Sequence, residues 1–495
     1  MSSTFYGFEI AKTGLRYNQK ALDVTAHNIA NVETEGYSRQ RIESSSIDPY
    51  VTQTLVAPLT NALVGGGVRI DYIQQIRNQF LDRQYRNEAS LMGEWTVKAE
   101  ALNYIEKLFQ EPSDIGVMSV IDRFFVGLQE LASNVGSKDV STNFLQQAIT
   151  LTDTINYYAS QLNQIQDEQD YAFTTSVKQV NEYIDKILAY NKSIARYELG
   201  GNVANDLRDK RNVLLDKLSE YANITYTETK VGNELRLTVS MTYFDENGDR
   251  QELVLIDHDQ ASKLELYTKP GSDYHYIRVD GVELDNLESG KLKGYLEIRD
   301  GNTDDVKGIQ YYKDKLDYFA KSLVTGINEI HRKGWTIPQG GASSMTGIDF
   351  FDPDGTDAMS IKVNQEILKD VFKIAASDAE VVGSINSGNN KIILELIELR
   401  EQAAIGGSDN FEAYMSSYIA ELGIDTAYAN TMRDNEDALL DSIVEQRMSI
   451  SGVSIDEEMA NMVKFEKSYQ AAARILTALD EMLDVLINRV GLVGR

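Results

Sequence analysis

The sequence predicts a mainly α protein with an inserted β-domain, and three observations carry that expectation. From Ile455 the positions Met462, Phe465, Tyr469, Ala472, Leu476, Leu479, Leu483, Leu486 and Val490 recur at alternating spacings of three and four, with Glu458 the only polar member. This is a coiled-coil seam. Near the other end Phe8, Ala11, Leu15, Asn18, Leu22, Thr25, Ile29 and Val32 follow the same spacing. Between the ends, residues 224–285 switch to short alternating runs such as Tyr274-His275-Tyr276-Ile277-Arg278-Val279, a strand pattern.

Taken in order, residues 1–40 read as an N-terminal assembly helix, running from about Thr4 to Asn31 and stopped at Glu35-Gly36-Tyr37, where glycine supplies a left-handed turn. Residues 41–222 read as an extended linker followed by a helical body. Pro49, Pro58 and Gly65-Gly66-Gly67 exclude regular helix early in that span. Helix is expected from near Asp71 through Phe109, punctuated by Pro112 and Gly116, and the 63 residues between Gly136 and Gly200 hold no Gly or Pro. That stretch predicts one long helix or a helical hairpin.

Residues 223–300 read as the β-rich insertion, with Asn247-Gly248 and Asp280-Gly281 as hairpin signals. Residues 301–333 return to helix, and 334–390 read as a mixed loop and β segment, whose Gly-, Ser- and Asp-rich part from Gly334 to Gly355 is expected to return to the β-domain. Residues 391–450 are helical body, with helices at 391–404 and 411–449. Residues 451–495 form the C-terminal assembly helix. Its start is marked by Ser454 as N-cap with Glu457 three residues on, and its end by Arg489 and Gly491. A helix of about 36 residues would be roughly 54 Å long and would need a partner to cover its seam.

Composition narrows function. The 495 residues hold no cysteine, which excludes disulfides, thiolate metal sites and cysteine nucleophiles. The net charge of −28 argues against nucleic acid and anionic membranes as partners. The ends are nearly neutral and can pack closely, while the middle carries almost all of the negative charge. No apolar run approaches the roughly 18 residues of a membrane span. The start, Met1-Ser2-Ser3-Thr4-Phe5, lacks the basic and apolar regions of a cleaved secretory signal. His27, His258, His275 and His331 show no metal or catalytic spacing. The stretch 300–311 begins like a calcium loop but has Asp305 and Tyr311 where Gly and Glu are required. The expectation is a non-enzymatic chain with no cofactor and no metal.

The run Ala21-Leu22-Asp23-Val24-Thr25-Ala26-His27-Asn28-Ile29-Ala30-Asn31-Val32, leading into Gly36-Tyr37-Ser38-Arg39-Gln40, closely resembles the signature of the bacterial flagellar axial proteins. At the other end, Gly452 and its neighbours through Glu458, continued by Tyr469-Gln470-Ala471-Ala472-Ala473-Arg474, look like the same family. The Gly-Tyr-Ser-Arg-Gln ending, Leu207-Arg208-Asp209-Lys210-Arg211-Asn212 and the stretch from Gly290 to Asp300 are similar to the hook–filament junction branch more than to hook or distal-rod proteins. Glu33 and Glu35 depart from the small, polar or proline residues more usual there.

That resemblance implies a structural adaptor exported unfolded through the flagellar type III apparatus with an export chaperone, without a cleaved signal peptide. It implies an extracellular ring of copies at the hook–filament junction, with hook protein and a second junction protein as neighbours. Terminal helices would stack as the inner wall of a tube and be disordered before assembly. Asn28 and Asn31 would cap carbonyls near the helix end, Gly36 would serve the turn, and Tyr37, Arg39 and Gln40 would reach a neighbouring subunit. A hook or distal-rod protein is the alternative within the family, and a secreted coiled-coil adhesin the alternative outside it.

Overall fold

The computed structural model describes residues 6–48, 65–109, 116–231, 234–338, 343–402, 405 and 410–489. The expectations placed on Thr4, Pro49, Pro58, Pro112, Ala404, Val490 and Gly491 lie outside those residues. In chain order the first elements are α1 (Tyr6–Ala30), β1 (Gln40–Ser46), β2 (Val68–Gln75), α2 (Gln79–Phe109), α3 (Val117–Ser133), α4 (Lys138–Glu198) and α5 (Asn205–Ser219). The insertion follows as β3 (Ile224–Val231), β4 (Glu234–Phe244), β5 (Arg250–Asp257), β6 (Gln260–Ala261), β7 (Glu265–Thr268), β8 (His275–Val279) and β9 (Val282–Glu283). Then come α6 (Lys291–Asp300), α7 (Ile309–His331), β10 (Trp335–Thr336), α8 (Gln365–Lys369), β11 (Ala375–Ser377), α9 (Lys391–Glu398), α10 (Phe411–Ser451) and α11 (Ile455–Asp484), closed by a π-turn at Val485–Arg489.

The Gly- and Pro-free stretch is one helix. α4 runs 61 residues, about 90 Å at 1.5 Å per residue, and both large apolar cores form against it. Its first half, with Phe144, Leu151, Ile155 and Leu162, packs into the body core with α2, α3, α7, α9 and α10. Its second half, with Phe173, Val177, Ile184 and Ile187, packs beneath the β-domain with α5 and α6. Strand periodicity explains that contact, since Leu237, Val239 and Met241 of β4 alternate inward onto the helix face.

The insertion is two antiparallel sheets, ordered β3-β4-β5-β6 and β7-β8-β9. Asp280 and Gly281 take φ of 50° and 86° between the paired Val279 and Val282, the mirror-image turn that matches strand twist. Asn247-Gly248 sits in a longer loop where the Asp245 carboxylate accepts from the Asn247 and Asp249 backbone N–H groups.

Four stretches differ from the sequence expectation. Residues 40–46 and 68–75 pair as an antiparallel hairpin rather than running as a linker, and helix resumes at Gln79 rather than Asp71. Residues 291–300, assigned to the β-rich insertion, are helix α6; Gly294 lets it approach the α2 backbone, where an added Cβ would meet the Glu94 carbonyl at 2.9 Å. The stretch from Gly334 to Gly355 does not return to the β-domain. Phe350, Phe351, Ile361 and Ile367 fill the helical core instead, and β10 pairs with β11. The terminal α-helix stops at Asp484, shorter than expected.

Candidate assembly interface

α1 and α11 lie antiparallel against each other. Gly7 faces the Leu479 side chain, the rings of Tyr17 and Phe465 meet edge-on at 6.3 Å, and Asn28 reaches Glu458. Met462, Phe465, Tyr469, Ala472, Leu476, Leu479 and Leu483 are each half-buried, and Leu486 is half exposed. On α1 and just beyond it, Phe8, Leu15, Leu22, Ile29 and Val32 are also half-buried, and Ala11 is buried. On the second half of α1 the seam position Thr25 is buried, but the other buried residues, Ala21, Val24 and Asn28, lie one position off the seam read from sequence. The reason is the hairpin: Ile42, Ile70 and Ile73 cover that flank together with Tyr17 and Phe465.

α11 also carries apolar side chains that stay open. Ile455, Met459, Val463, Ile475 and Met482 are each about half exposed. Glu458, the one polar break in the seam, is the one buried residue of the helix. A buried carboxylate needs partners, and Glu458 has two. Its Oε2 accepts from Asn28 Nδ2 at 3.1 Å and its Oε1 from Arg39 Nε at 2.8 Å.

Around this acid the signature folds back on α1. Asn28 behaves as a miniature strand: Oδ1 accepts from the Gln40 backbone N–H at 3.0 Å and Nδ2 donates to the Gln40 carbonyl at 3.0 Å. Tyr37 donates its hydroxyl to the same Asn28 Oδ1 at 2.8 Å. Burial, reinforced by Asp206, Asp209 and Glu458, pushes the Tyr37 phenol well up, so it stays a donor. Asn31 donates to the His27 carbonyl at 2.9 Å. Gly36 takes φ +73°, and an added Cβ would lie 2.0 Å from Val213 of α5. The two departures from the signature are accommodated, since Glu33 and Glu35 are exposed and Glu35 pairs with Lys217 at 3.1 Å. Arg39 binds Glu457 at 2.8 Å as well as Glu458. The Glu457 carboxylate is thus directed to Arg39, while Ser454 Oγ accepts from the Glu457 N–H at 3.5 Å. Tyr37, Arg39 and Gln40, expected to reach a neighbouring subunit, therefore bond within the chain. Gly452 closes α10, its N–H donating to the Met448 carbonyl at 2.9 Å; Gln470 bonds Glu466 at 2.8 Å, and Ala471 is exposed.

No periodicity or motif in the sequence marks what holds this unit on the body. The Ser38 hydroxyl donates to Asp209 Oδ1 at 2.7 Å, and its N–H to Oδ2 at 3.1 Å. Gln40 Nε2 donates to Asp206 at 2.8 Å. The Leu207–Asn212 stretch, one of the interior resemblances, thereby holds Ser38 through Asp209, and Asp206 just before it receives Gln40. From Asp209 the charges alternate: Arg77 binds Asp82 through two nitrogens at 3.1 and 2.9 Å, Arg447 bridges Asp82 at 3.0 Å and Asp216 at 2.8 Å, and Arg86 binds Asp216 at 2.7 Å. The Arg86 guanidinium lies over the Tyr226 ring of β3 at 4.3 Å. Burial raises the Asp209 carboxyl above its ordinary range despite Ser38 and Arg77. Burial acts on Asp216 too, but the guanidiniums of Arg86 and Arg447 hold it below that range. Arg77, Asp82 and Arg86 are close in sequence, but Asp216 and Arg447 come from distant stretches, and no periodicity links them to the first three.

Among the described residues no group of three or more His, Asp or Glu is placed to hold a metal ion, and no helix is long and apolar enough to cross a membrane. Three family descriptions match the chain. Residues 102–351 match the flagellar hook-associated protein FlgK helical domain, 444–489 the flagellar basal body rod FlgEFG protein C-terminal region, and 8–37 the flagella basal body rod protein. The flagellar hook-associated protein 1 of Bacillus subtilis is 32% identical over the full length of both chains. That of Escherichia coli is 22% identical over 97% of this chain and 98% of its own. Among solved structures, the flagellar hook junction protein FlgK from Burkholderia pseudomallei has a similar fold, with a TM-score of 0.59 at 12% identity, covering 74% of this chain and 100% of that one.

Proposed function

This chain belongs to the flagellar hook-associated protein 1 family, and from that premise we propose how its parts serve a structural protein of the hook–filament junction. Its copies form a ring between hook and filament, with hook protein on one side and a second junction protein on the other. It reaches that place through the type III export apparatus, aided by an export chaperone. Its role is to join two tubes, and no step of it calls for catalysis or a cofactor.

The observation that supports this reading best is the apolar surface that α11 leaves open. Ile455, Met459, Val463, Ile475 and Met482 are about half exposed. Covering such surface is worth roughly 25 cal/mol per Å² of apolar area, and a ring multiplies that gain over every copy. The seam residues of both ends, Phe8 to Val32 and Met462 to Val490, are the assembly surface in this reading. The nearly neutral charge of both ends permits close packing of copies, while the acidic body and β-domain face outward.

Deleting the gene tests the reading directly. Negative-stain electron microscopy should show hooks without filaments, and a flagellin blot should find flagellin in the medium. Normal filaments on the deletion strain would overturn it, and missing hooks would move the chain to the hook or rod.

A further inference from the structure

We infer that Arg77 and Arg447 are positioning residues that fix the angle between the terminal helix pair and the body; the inference rests on the junction reading above. The terminal unit has a small apolar cluster of its own, built on Ala21, Val24 and Ile42, and it is separate from both large cores among the described residues. The joint between that unit and the body is therefore polar. Apolar faces tolerate sliding, because the gain depends on area and not on direction. Guanidinium–carboxylate bonds fix distance and plane together.

Both arginines sit where the chain crosses the joint. Arg77 lies between β2 and α2, and its Nη1 approaches Ser38 Oγ at 3.3 Å and Asp209 at 3.4 Å while its other nitrogens grip Asp82. Arg447 lies one turn before the end of α10 and holds Asp82 and Asp216 at once, stacked over Tyr85 at 4.3 Å. Asp82 Oδ1 accepts from both arginines, so the link from β2 to α2 and the end of α10 share one acceptor. Immediately beyond, the Arg39 N–H donates to the Ser451 carbonyl at 2.9 Å, tying the same two crossings by backbone. Arg77, Asp82, Arg447 and Asp209 are each less than a fifth exposed. Buried ionic groups of this kind specify geometry more than they add stability.

The absence of cysteine makes the test clean, because two introduced cysteines are the only labelling sites. Spin labels on the full chain at exposed Lys467→Cys and Lys178→Cys span the joint, and labels at Lys467→Cys and Lys20→Cys span only the terminal pair. In the parent chain both pulsed-EPR distance distributions should be narrow. The double variant Arg77→Lys and Arg447→Lys keeps the charges but loses the planar forks. It should at least double the width across the joint, leave the terminal pair unchanged and shift the melting temperature by no more than a few degrees. Cells carrying that variant should export it normally yet assemble few filaments. An unchanged width across the joint overturns the inference, as does equal broadening within the terminal pair, which would report loss of that unit and not of its angle. Normal filaments on the deletion strain would sink the junction reading itself. Filament loss on deletion with normal assembly of the variant would sink this inference alone.

Discussion

α4 and α11 are both long helices with an apolar seam, and they use it differently. α4 buries Phe144, Ile155, Leu162, Phe173 and Ile184 to 1% exposure or less against its own chain. α11 leaves its seam half-covered and further apolar side chains open, and the side chain it buries is a glutamate. Periodicity in sequence thus identifies which face of a helix is apolar, but the covering partner is set by what else the chain supplies. For α4 the chain supplies two cores; for α11 it supplies one helix and a small hairpin.

The contrast can be broken by substitution, and the largest effect is expected where charge is locked into the body. Asp216→Ala removes the partner of Arg86, itself 1% exposed, and one of two partners of Arg447, and should cost about 3–5 kcal/mol in denaturant unfolding. Leu162→Ala, at a position with no exposure, should cost about 2–5 kcal/mol. The body should also carry a pH dependence the termini lack. His331 is fully buried, with Nδ1–H donated to the Ile348 carbonyl at 2.8 Å and Nε2 accepting the Ala375 N–H at 2.9 Å, so burial holds its pKa down to about 4. The unfolded chain binds a proton below about pH 6.5 and the folded chain does not until about 4, so stability is lost as pH falls between those values. The loss should be on the order of 3 kcal/mol, and the same titration on His331→Gln should lack it.

Smaller effects are expected nearer the ends. Gly36→Ala forces a left-handed residue against Val213 and should cost about 1–3 kcal/mol, read as loss of hydrogen-exchange protection at Tyr37 to Gln40 before the body melts. Leu483→Asp, half-buried in the terminal pair, should move the main melting transition by less than about 1 kcal/mol while abolishing recovery of the protein in purified flagella. If Leu483→Asp destabilised the isolated chain as much as Leu162→Ala, the distinction between the two helices would fail.

Much of this architecture is legible in sequence. Ser454 before Ile455, Asp280-Gly281 and the Gly- and Pro-free run each express a local rule, and each maps to a helix start, a turn and α4. The β1–β2 hairpin was not legible, because Gln40–Ser46 holds one apolar residue, Ile42, and its partner strand begins 22 residues later. α6 was hidden by its short length and two flanking or internal glycines, Gly290 and Gly294. The joint was hidden for a different reason: it gathers single Arg and Asp residues from α2, α5 and α10, and such pairs leave no period. Within the terminal unit the sequence does leave a trace: Glu458, a polar residue in an apolar seam, marks where α11 meets Asn28 and Arg39.

The two cores and the terminal pair are also nested along the chain, like brackets. The core under the β-domain is drawn from residues 173–296, the body core from stretches outside it reaching from 97 to 429, and the terminal pair from the outermost elements. A chain emerging N-terminus first can complete them only from the inside outward, since contacts between distant segments wait for the later one. In pulse-labelled refolding, protection should spread outward from the β-domain and reach α1 last. The surface reserved for other copies is thus the last to find a partner within its own chain.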